Sequence, residues 1–343
     1  MFIRNCWYVA AWDYELKEGE LFQRTILNES ILLYRASDGT PVALNNRCCH
    51  RHAPLSLGRR EGDCVRCMYH GLKYDRNGQC VEIPGQKSIP RQMKVRSYPV
   101  VQSKRWVWIW LGDPAKANSA SIPDTFSLEH RDWRMKPGYV HYKANHLLIS
   151  DNLLDFSHLS YVHEGTLGGS PDIAQARPST ERLERGVRVR REINNTAPAP
   201  YHQRLAQFSG KVDRWFIYDY LVPGILLMES GVRASEPSLR ERETTLNFHS
   251  CQAITPENAT ATHYFFASAN ESSLNPEATE HIYQSVVAAF NEDRRMIEAQ
   301  QHLIDTTEPV DMLALPSDVA LGNFRRLMQR ALEAERPDDR QST

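Results

Sequence analysis

The chain has 343 residues, of which 41% are hydrophobic and 24% are charged. This length and balance are typical of a globular protein with two domains. The formal net charge of −1 gives no electrostatic reason to expect a nucleic acid or an anionic membrane as a partner.

The sequence gives no sign of a membrane anchor or of export. No apolar run approaches the ~20 residues of a membrane-spanning helix, and the N-terminus lacks the basic segment and apolar core of a signal peptide. Four of the seven cysteines lie between residues 48 and 67, which indicates metal binding in a reducing compartment rather than a disulfide framework. We therefore expect a cytoplasmic protein.

The first third of the chain, residues 1–115, is predicted to form a small all-β domain. Short apolar runs at 25–27, 31–34 and 42–44 alternate with turn-forming residues. In the run 106–111 both alternating sets of side chains are apolar, as in a strand that is buried on two sides. Three of these residues are tryptophans, and we interpret them as core packing rather than as the wall of a ligand site.

Two short metal-binding motifs fall inside this domain. Cys48 and His50 form C-x-H, and Cys67 and His70 form C-x-x-H after a spacer. A Rieske [2Fe–2S] cluster needs this set, because two cysteines hold one iron and two histidines hold the other. A tetrahedral zinc site accepts the same ligands, and Cys64 adds a C-x-x-C that makes zinc a competitor. The alternation of Cys with His favours the Rieske cluster, since zinc sites usually pair like ligands.

Residues 116–343 are predicted to form a second domain, so that the whole chain belongs to the α+β class. Strand-like segments are expected at 139–142, 187–190, 215–220, 246–249 and 262–266. A helix is expected from about Asn145 to His163. A long helix is expected from about Pro276 to Ile304, where a proline near the first turn is followed by an acidic residue.

The long helix carries a carboxylate on its apolar face. Its apolar side chains recur at steps of four, four and seven residues, at Ile282, Val286, Phe290 and Ile297. Asp293 falls inside this stripe. A buried carboxylate is costly unless it is paired or bound to a metal, so Asp293 is a candidate ligand.

The helix predicted before it carries the other candidate ligands. Asp151, Asp155 and His158 share one face, whereas His163 lies about 140° away on a regular helix. Both imidazoles reach one metal ion only if the helix bulges or ends between them. Two histidines and a remote carboxylate form the facial triad of non-haem Fe(II) oxygenases. Such a histidine pair alone is more often a pair of core residues, but a one-electron relay in the same chain favours iron.

These motifs together resemble the oxygenase component of the Rieske non-haem iron oxygenases, over nearly the whole chain. The resemblance rests on the cysteine and histidine motifs and on the pattern Asn152-x-x-Asp155-x-x-His158-x₄-His163. Within the family the chain is similar to the vanillate and dicamba O-demethylases and to toluenesulfonate methyl-monooxygenase. Cys49 stands where relatives often have proline, which leaves the ligands in place.

The resemblance implies a Rieske domain followed by a helix-grip catalytic domain built on an antiparallel sheet. The implied cluster ligands are Cys48, His50, Cys67 and His70. The implied Fe(II) ligands are His158, His163 and Asp293. It also implies a homotrimer in which the cluster of one chain serves the iron of its neighbour, with Asp155 hydrogen-bonded to His70 on one side and to His158 on the other.

The implied activity is the use of O₂ to oxidise a methyl or methoxy substituent of an aromatic acid. The chain has no nucleotide-binding glycine fingerprint, so electrons are expected from an NAD(P)H-dependent flavin- or ferredoxin-type reductase. Asn247, His249 and Arg233 are candidates for binding a carboxylate or sulfonate, although they are equally well interpreted as ordinary polar residues. The alternatives are ring hydroxylation, cis-diol formation or N-demethylation, a zinc-binding module, and a Rieske protein that only transfers electrons.

Overall fold

The computed structural model describes residues 1–240 and 245–335 and divides the chain into two compact units. The first unit is Met1–Asp124 and the second is Thr125–Thr343. The boundary predicted after residue 115 falls within a short 3₁₀ turn of the first unit, Pro114–Lys116.

The first unit is built from three antiparallel sheets, as expected of an all-β domain. Their orders are β1-β10-β9, β2-β3-β4 and β5-β6-β7-β8. The strands are β1 Trp7–Trp12, β2 Phe22–Ile26, β3 Glu29–Arg35, β4 Pro41–Asn45, β5 Arg59–Glu61, β6 Cys64–Arg66, β7 Lys73–Tyr74, β8 Cys80–Glu82, β9 Val100–Ser103 and β10 Trp106–Trp110. Short 3₁₀ turns lie at Asp13–Glu15, Leu55–Leu57, Pro114–Lys116 and Ser119–Ser121.

Strand β10 is buried along its whole length. Its tryptophans pack on one another and on β1, with ring centroids 5.5 Å apart for Trp12 and Trp106 and 5.6 Å apart for Trp106 and Trp108. The prediction that the tryptophan stripe belongs to the core is confirmed. A second apolar cluster, which includes Leu55, Val65 and Leu72, packs around the two motif cysteines.

The second unit is organised around a seven-stranded antiparallel sheet in the order β11-β17-β16-β15-β14-β13-β12. The strands are β11 Trp133–Tyr142, β12 Ser179–Leu183, β13 Gly186–Thr196, β14 Val212–Leu221, β15 Ile225–Ala234, β16 Leu246–Asn258 and β17 Ala261–Glu271. The helices are α1 His146–Leu154, α2 Asp172–Gln175, α3 Pro200–Ala206, α4 Pro237–Arg240, α5 Pro276–Thr306 and α6 Val319–Ala334, with 3₁₀ turns at Phe126–Leu128 and Phe156–Ser160.

Helix α5 confirms the long helix predicted from about Pro276 to Ile304. It begins where the Asn275 side chain accepts a hydrogen bond from the N–H of Ala278 at 2.7 Å, with Pro276 in the first turn. Its apolar stripe packs on β11 and β17. Phe290, for example, meets the rings of Tyr264 and Phe266 at centroid distances of 5.2 and 4.8 Å.

The continuous helix predicted from about Asn145 to His163 is wrong. Helix α1 ends at Leu154, Asp155 is extended (φ −128°, ψ 98°), and a 3₁₀ turn, Phe156–Ser160, follows. The break arises because the Asp155 side chain accepts a hydrogen bond from the N–H of Ser157 at 2.9 Å and so starts a new turn. The turn ends before His163, as the metal hypothesis required.

The break also separates Asp151 from Asp155 and His158, which the helix prediction placed on the same face. Asp151 lies on α1 and pairs with Arg325 of α6. Among the described residues, no helix combines the length and the apolar character that crossing a membrane requires.

Candidate metal centres

Two loops of the first unit present the cysteine and histidine motifs in the same way. In each loop the cysteine N–H donates to the carbonyl five residues later, at 2.9 Å for Cys48 and 2.8 Å for Cys67. The residue four positions after each cysteine donates back to the cysteine carbonyl, and it lies at positive φ: 60° for His52 and 76° for Gly71. The two loops are therefore equivalent in backbone geometry.

The four side chains of these loops divide into a buried pair and an exposed pair. Cys48 and Cys67 are 2% and 1% exposed, whereas His50 and His70 are exposed, with ring centroids 4.6 Å apart. Burial raises the pKa of Cys67, and the neighbouring Cys48 thiol adds to the increase. Two buried thiols beside two exposed imidazoles fit the asymmetric ligand set of a Rieske cluster.

Two further side chains of this unit, those of Tyr74 and Cys64, differ in their relation to the two loops. The Tyr74 hydroxyl lies 3.0 Å from the Cys48 sulfur and 3.2 Å from the Cys49 sulfur, a contact that sequence reasoning did not anticipate. Cys64, which made zinc a competitor, lies in strand β6 opposite Glu61 and outside the two loops.

In the second unit, His158, His163 and Asp293 come together as predicted. Their nearest ligand atoms all lie within 4.8 Å of one another. The Nε2 atoms of His158 and His163 lie 3.6 and 3.1 Å from the same carboxylate oxygen, Oδ1 of Asp293. The 3₁₀ turn, the segment after it and helix α5 each supply one of the three side chains. Two imidazoles and one carboxylate are the donor set of a non-haem iron site.

Each imidazole is oriented through its other nitrogen. His158 Nδ1 lies 2.6 Å from the backbone carbonyl of Asp155, and His163 Nδ1 lies 2.8 Å from the Glu292 carboxylate. Both acceptors call for a donating Nδ1–H, which leaves both Nε2 atoms directed at Asp293. Hydrogen-bonded partners of this kind fix the ring orientation of metal-binding histidines.

The electrostatics of the two imidazoles differ. Burial is the main reason why the pKa of His158 lies below its ordinary value. Burial also acts to lower the pKa of His163, but hydrogen bonds and the charges of Asp293 and Glu292 outweigh it, so the pKa lies above the ordinary value. Burial therefore favours the neutral ring of His158, whereas the two carboxylates favour the protonated ring of His163.

Two residues around Asp293 were not identified from sequence. The Asn152 side chain donates to Asp293 Oδ1 at 2.9 Å, and Glu292 accepts from the Thr166 hydroxyl at 2.9 Å as well as from His163. Asn152 was part of the recognised pattern but had no role assigned to it. Glu292 directly precedes Asp293, and that adjacency is the signal that could have singled it out.

Asp155 contacts His158 in a different way from the one expected. Its backbone carbonyl, not its carboxylate, meets the imidazole. The carboxylate instead accepts from Arg191 Nη2 at 3.1 Å. Arg191 is a buried residue of β13, whose guanidinium also donates to the Ile173 carbonyl at 2.6 Å, and burial lowers its pKa. The role of Asp155 between subunits stays a prediction.

A cavity opens beside the three side chains, and it contains about 780 Å³ of empty space when the open solvent at its mouth is included. Its wall is mostly apolar and combines residues of α1, the 3₁₀ turn, α5 and one face of the sheet, for example Phe156, Phe216, Phe248 and Phe290. The candidate ligands thus lie at one side of an aromatic pocket whose wall includes residues of β14–β17.

The three residues predicted to bind an acidic substrate differ in location. His249 borders the cavity, but its ring lies on the opposite face of the sheet from Phe248 and packs edge-on against Trp133, with ring centroids 4.1 Å apart. Burial lowers the pKa of His249, which favours the neutral ring. Asn247 donates to Glu271 at 2.7 Å, and Arg233 is 48% exposed and faces Asp213 at 3.7 Å; neither is among the cavity-lining residues.

Comparison with known protein families covers both units. Residues 6–99 match the Rieske [2Fe–2S] domain, and residues 142–334 match the vanillate O-demethylase oxygenase C-terminal domain. The chain belongs to the Rieske non-haem iron oxygenases. The resemblance inferred from the motifs is confirmed, as are the α+β fold and the [2Fe–2S] cluster.

Relatives of this Rieske oxygenase match it over most of their length. The iron-sulfur subunit of the toluene-4-sulfonate monooxygenase system of Comamonas testosteroni is 49% identical, over 98% of each chain. The oxygenase component of dicamba O-demethylase from Stenotrophomonas maltophilia is 34% identical, over 87% of this chain and 88% of that one. A crystal structure of dicamba monooxygenase with non-heme iron and dicamba has a TM-score of 0.81 at 30% identity, covering 98% of this chain and 99% of that one.

These comparisons also decide between the classes of function left open by the sequence. The chain is the oxygenase component of a monooxygenase, and neither a zinc-binding module nor a Rieske protein that only transfers electrons accounts for the catalytic domain it shares with these relatives.

Proposed function

We propose that this oxygenase oxidises a methyl or methoxy substituent of an aromatic acid, and that aryl sulfonates are its preferred class of substrate. The observation that carries the proposal is the meeting of the His158, His163 and Asp293 ligand atoms beside an apolar, aromatic cavity. Relatives named for toluene-4-sulfonate and for dicamba support an aromatic acid as the substrate. The relative named for toluene-4-sulfonate is 49% identical to this chain.

The mononuclear site is proposed to hold Fe(II) through those three side chains. Iron bound there supplies O₂ activation and the oxidation of a substrate C–H bond. The dicamba monooxygenase structure with non-heme iron supports this choice of metal. The chain itself keeps both Nε2 atoms directed at Asp293 through the Nδ1 contacts of the two histidines, and the apolar wall limits the access of water.

The electrons are proposed to come from a separate NAD(P)H-dependent reductase, which accords with a relative that is one subunit of a monooxygenase system. The proposed cluster ligands are Cys48, His50, Cys67 and His70. The buried thiols and the exposed imidazoles give this site one insulated side and one side from which electrons can leave.

The acidic group of the substrate is proposed to be bound by neutral donors. Among the cavity-lining residues that the structure describes there is no lysine or arginine. The wall offers the hydroxyls of Ser230 and Ser268, whereas Ser250 already donates to the Ala267 carbonyl at 3.0 Å. The ring of His249 is on the other face of the sheet, against Trp133. A sulfonate has three acceptor oxygens and can satisfy several such donors at once, each contributing roughly 1.5–3 kcal/mol.

The proposed reaction balances without a further reactant. One atom of O₂ enters the substrate and the other leaves as water, with two electrons from the reductase and two protons. An aryl methyl group then becomes a benzylic alcohol. An aryl methyl ether becomes a hemiacetal, which breaks down to a phenol and formaldehyde.

We further propose that the chain works as a homotrimer and that Asp155 positions the contact between neighbouring subunits. The Asp155 side chain is partly exposed, and the backbone carbonyl of the same residue holds His158. A group of a neighbouring subunit that binds the Asp155 carboxylate would therefore lie next to a residue that orients a candidate iron ligand. Light scattering after gel filtration measures the oligomeric state, and a monomer or dimer would contradict the trimer.

The test of the proposed function is substrate-coupled O₂ uptake by the iron-loaded protein with a surrogate reductase and NADH. The panel comprises toluene-4-sulfonate, 4-methylbenzoate, 4-methoxybenzoate and uncharged toluene. We expect the strongest coupling with toluene-4-sulfonate and its hydroxymethyl product by mass spectrometry. Ring-hydroxylated or cis-diol products would favour the alternative within the family, and no coupled uptake with any acid would contradict the proposal.

The Ser268→Ala variant tests how the acidic group is bound. Losing one hydrogen bond to an anion should raise the KM for toluene-4-sulfonate about tenfold, with kcat nearly unchanged. Ser273→Ala, at an exposed position just after the same strand, is the matched control. An unchanged KM in Ser268→Ala would exclude this hydroxyl from the binding site.

A further inference from the structure

A second group of metal-binding side chains lies on the sheet of the catalytic domain. His141 of β11, His263 of β17 and Glu257 of β16 offer ligand atoms that all lie within 4.8 Å of one another. His141 alternates with Tyr142, whose hydroxyl donates to the Phe290 carbonyl of α5. Since neighbouring residues of a strand point to opposite faces, His141 lies on the face away from α5 and from the cavity.

The geometry of this group is that of a half-buried pocket. His141 Nε2 lies 2.6 Å from Glu257 Oε2, and His263 Nε2 lies 3.9 Å from the same oxygen. The side chains of His141, Glu257 and His263 are 40%, 26% and 7% exposed. One imidazole is therefore fixed in the sheet, while the other two groups reach solvent and leave a route by which an ion can enter.

The backbone and a neighbouring residue build the site. His141 and His263 are direct cross-strand partners in the register of β11 with β17. The register of β16 with β17 shifts between Pro256 and Asn258, so Glu257 is the bulged residue. Bulges of this kind redirect side chains next to functional sites. Tyr139 adds a contact of 2.8 Å between its hydroxyl and His263 Nδ1, which orients the ring with Nε2 towards Glu257.

We propose that His141, Glu257 and His263 form a second metal site, which takes one divalent transition-metal ion of the zinc class. Two imidazole nitrogens and one carboxylate oxygen make a set that Zn²⁺ accepts, with a fourth position left to water. The contact that orients His263 through Nδ1 is the arrangement typical of a metal-binding histidine. The site is separate from the mononuclear iron site and shares no ligand with it.

The position of this site suggests a structural effect. The Asn145 side chain donates to the Ala259 carbonyl at 2.8 Å, in the turn between β16 and β17, and the Thr262 hydroxyl donates to the Ala144 carbonyl at 2.8 Å. Asn145 also caps α1. A metal that ties β11 to β16 and β17 would therefore stabilise the corner from which α1 runs towards the iron ligands.

The experiment adds Zn²⁺ to tag-free protein that carries its cluster and its iron, and measures zinc and iron by mass spectrometry after gel filtration. We expect one additional zinc per chain with unchanged iron content and an unchanged cluster spectrum. His141→Ala and Glu257→Gln, both at partly exposed positions, should lose this zinc. His302→Ala, which removes an exposed histidine of α5, is the matched control and should keep it. Thermal unfolding should shift upward with zinc in the wild type and in the control only.

Anomalous scattering at the zinc edge locates the ion directly. A peak between the three side chains supports the proposal. Zinc uptake that persists in both variants, or a wild type that takes up no extra zinc, would overturn it. Loss of iron in step with zinc uptake would also overturn it, because the zinc would then occupy the mononuclear site. None of these readouts depends on turnover, so the result is independent of the proposed substrate.

Discussion

The two histidines of the mononuclear site are fixed by different kinds of acceptor. His158 is held by a backbone carbonyl, which cannot be removed by mutation, whereas His163 is held by the side chain of Glu292. Glu292 is itself held by the Thr166 hydroxyl. The orientation of His163 should consequently be the more sensitive of the two to substitution.

Glu292→Gln should weaken iron binding by roughly 10- to 100-fold, the usual cost of losing a partner of a metal-binding histidine. The glutamine side chain is neutral, so the imidazole loses the negative charge opposite it. If the amide also turns its NH₂ group towards Nδ1, the hydrogen bond to the ring is lost as well. Iron content after dialysis against a graded chelator measures the change, and the cluster spectrum should be unaffected. Glu308→Gln, at an exposed position after α5, is the control. Iron affinity equal in both variants would show that Glu292 does not support the site.

Among single residues, sequence reasoning identified the three candidate ligands that the structure brings together, but not their hydrogen-bond partners. Asp293 was recognisable because a carboxylate in an apolar helical stripe needs an explanation. Glu292 was not, since a glutamate on the same helix is usually solvated. Arg191 of β13 contacts Asp155 across 36 residues of the chain, and nothing in the local sequence indicates that its guanidinium is buried.

Among the elements, the break after α1 matters most for the site. A continuous helix would carry His163 away from His158, whereas the 3₁₀ turn that Asp155 starts brings the two rings to a centroid distance of 5.2 Å. The sequence analysis predicted one helix from about Asn145 to His163. The helix instead ends at Leu154, because the Asp155 side chain competes with the helical hydrogen bonds for a backbone N–H.

Asp155→Asn should retain both metals and yet lose nearly all turnover. Asparagine can still accept from the Ser157 N–H, so the turn should form, but the charge next to Arg191 is lost. Metal content and the cluster spectrum establish that the sites are intact, and steady-state turnover gives the effect. Full activity in this variant would exclude a function for the carboxylate in linking the two sites.

Glu29 of β3 contacts Arg4, Arg96 and Tyr98, and these contacts make the stability of the first unit depend on pH. Burial acts to raise the pKa of Glu29, but hydrogen bonds from Tyr98 and Arg4 and the nearby arginine charges outweigh it, so the pKa lies below 4.5. A carboxylate with a lowered pKa contributes stability above its unfolded-state value, and this contribution is lost as the pH falls through the folded-state value.

Glu29→Gln should therefore destabilise the first unit by about 1 kcal/mol at neutral pH, with the difference shrinking below pH 4.5. Denaturation followed by tryptophan fluorescence reports mainly on this unit, which contains five of the seven tryptophans. Glu20→Gln, at an exposed position, should show no such difference. A destabilisation that is constant from pH 7 to pH 3 would contradict the assignment to Glu29.

For the whole molecule, the sequence predicted the class of fold and the order of the two parts better than the topology. Strand-like segments indicated a sheet, but its order, with β11 next to β17, depends on pairing between distant segments that no local pattern contains. Helix α6 was missed, although Ala320, Phe324 and Met328 recur at the four-residue step of a helix and are buried. That spacing was a usable signal.

The proposed activity is the insertion of oxygen from O₂ into the methyl group of an aromatic acid at the site of His158, His163 and Asp293. The most direct measurement is the isotope content of the product formed from toluene-4-sulfonate under ¹⁸O₂, for the wild type and for Asp293→Ala. We expect a single ¹⁸O in the benzylic alcohol of the wild type, and loss of both product and mononuclear iron in Asp293→Ala with the cluster spectrum retained. A product that contains oxygen from water, or one that the variant forms equally well, would contradict the claim.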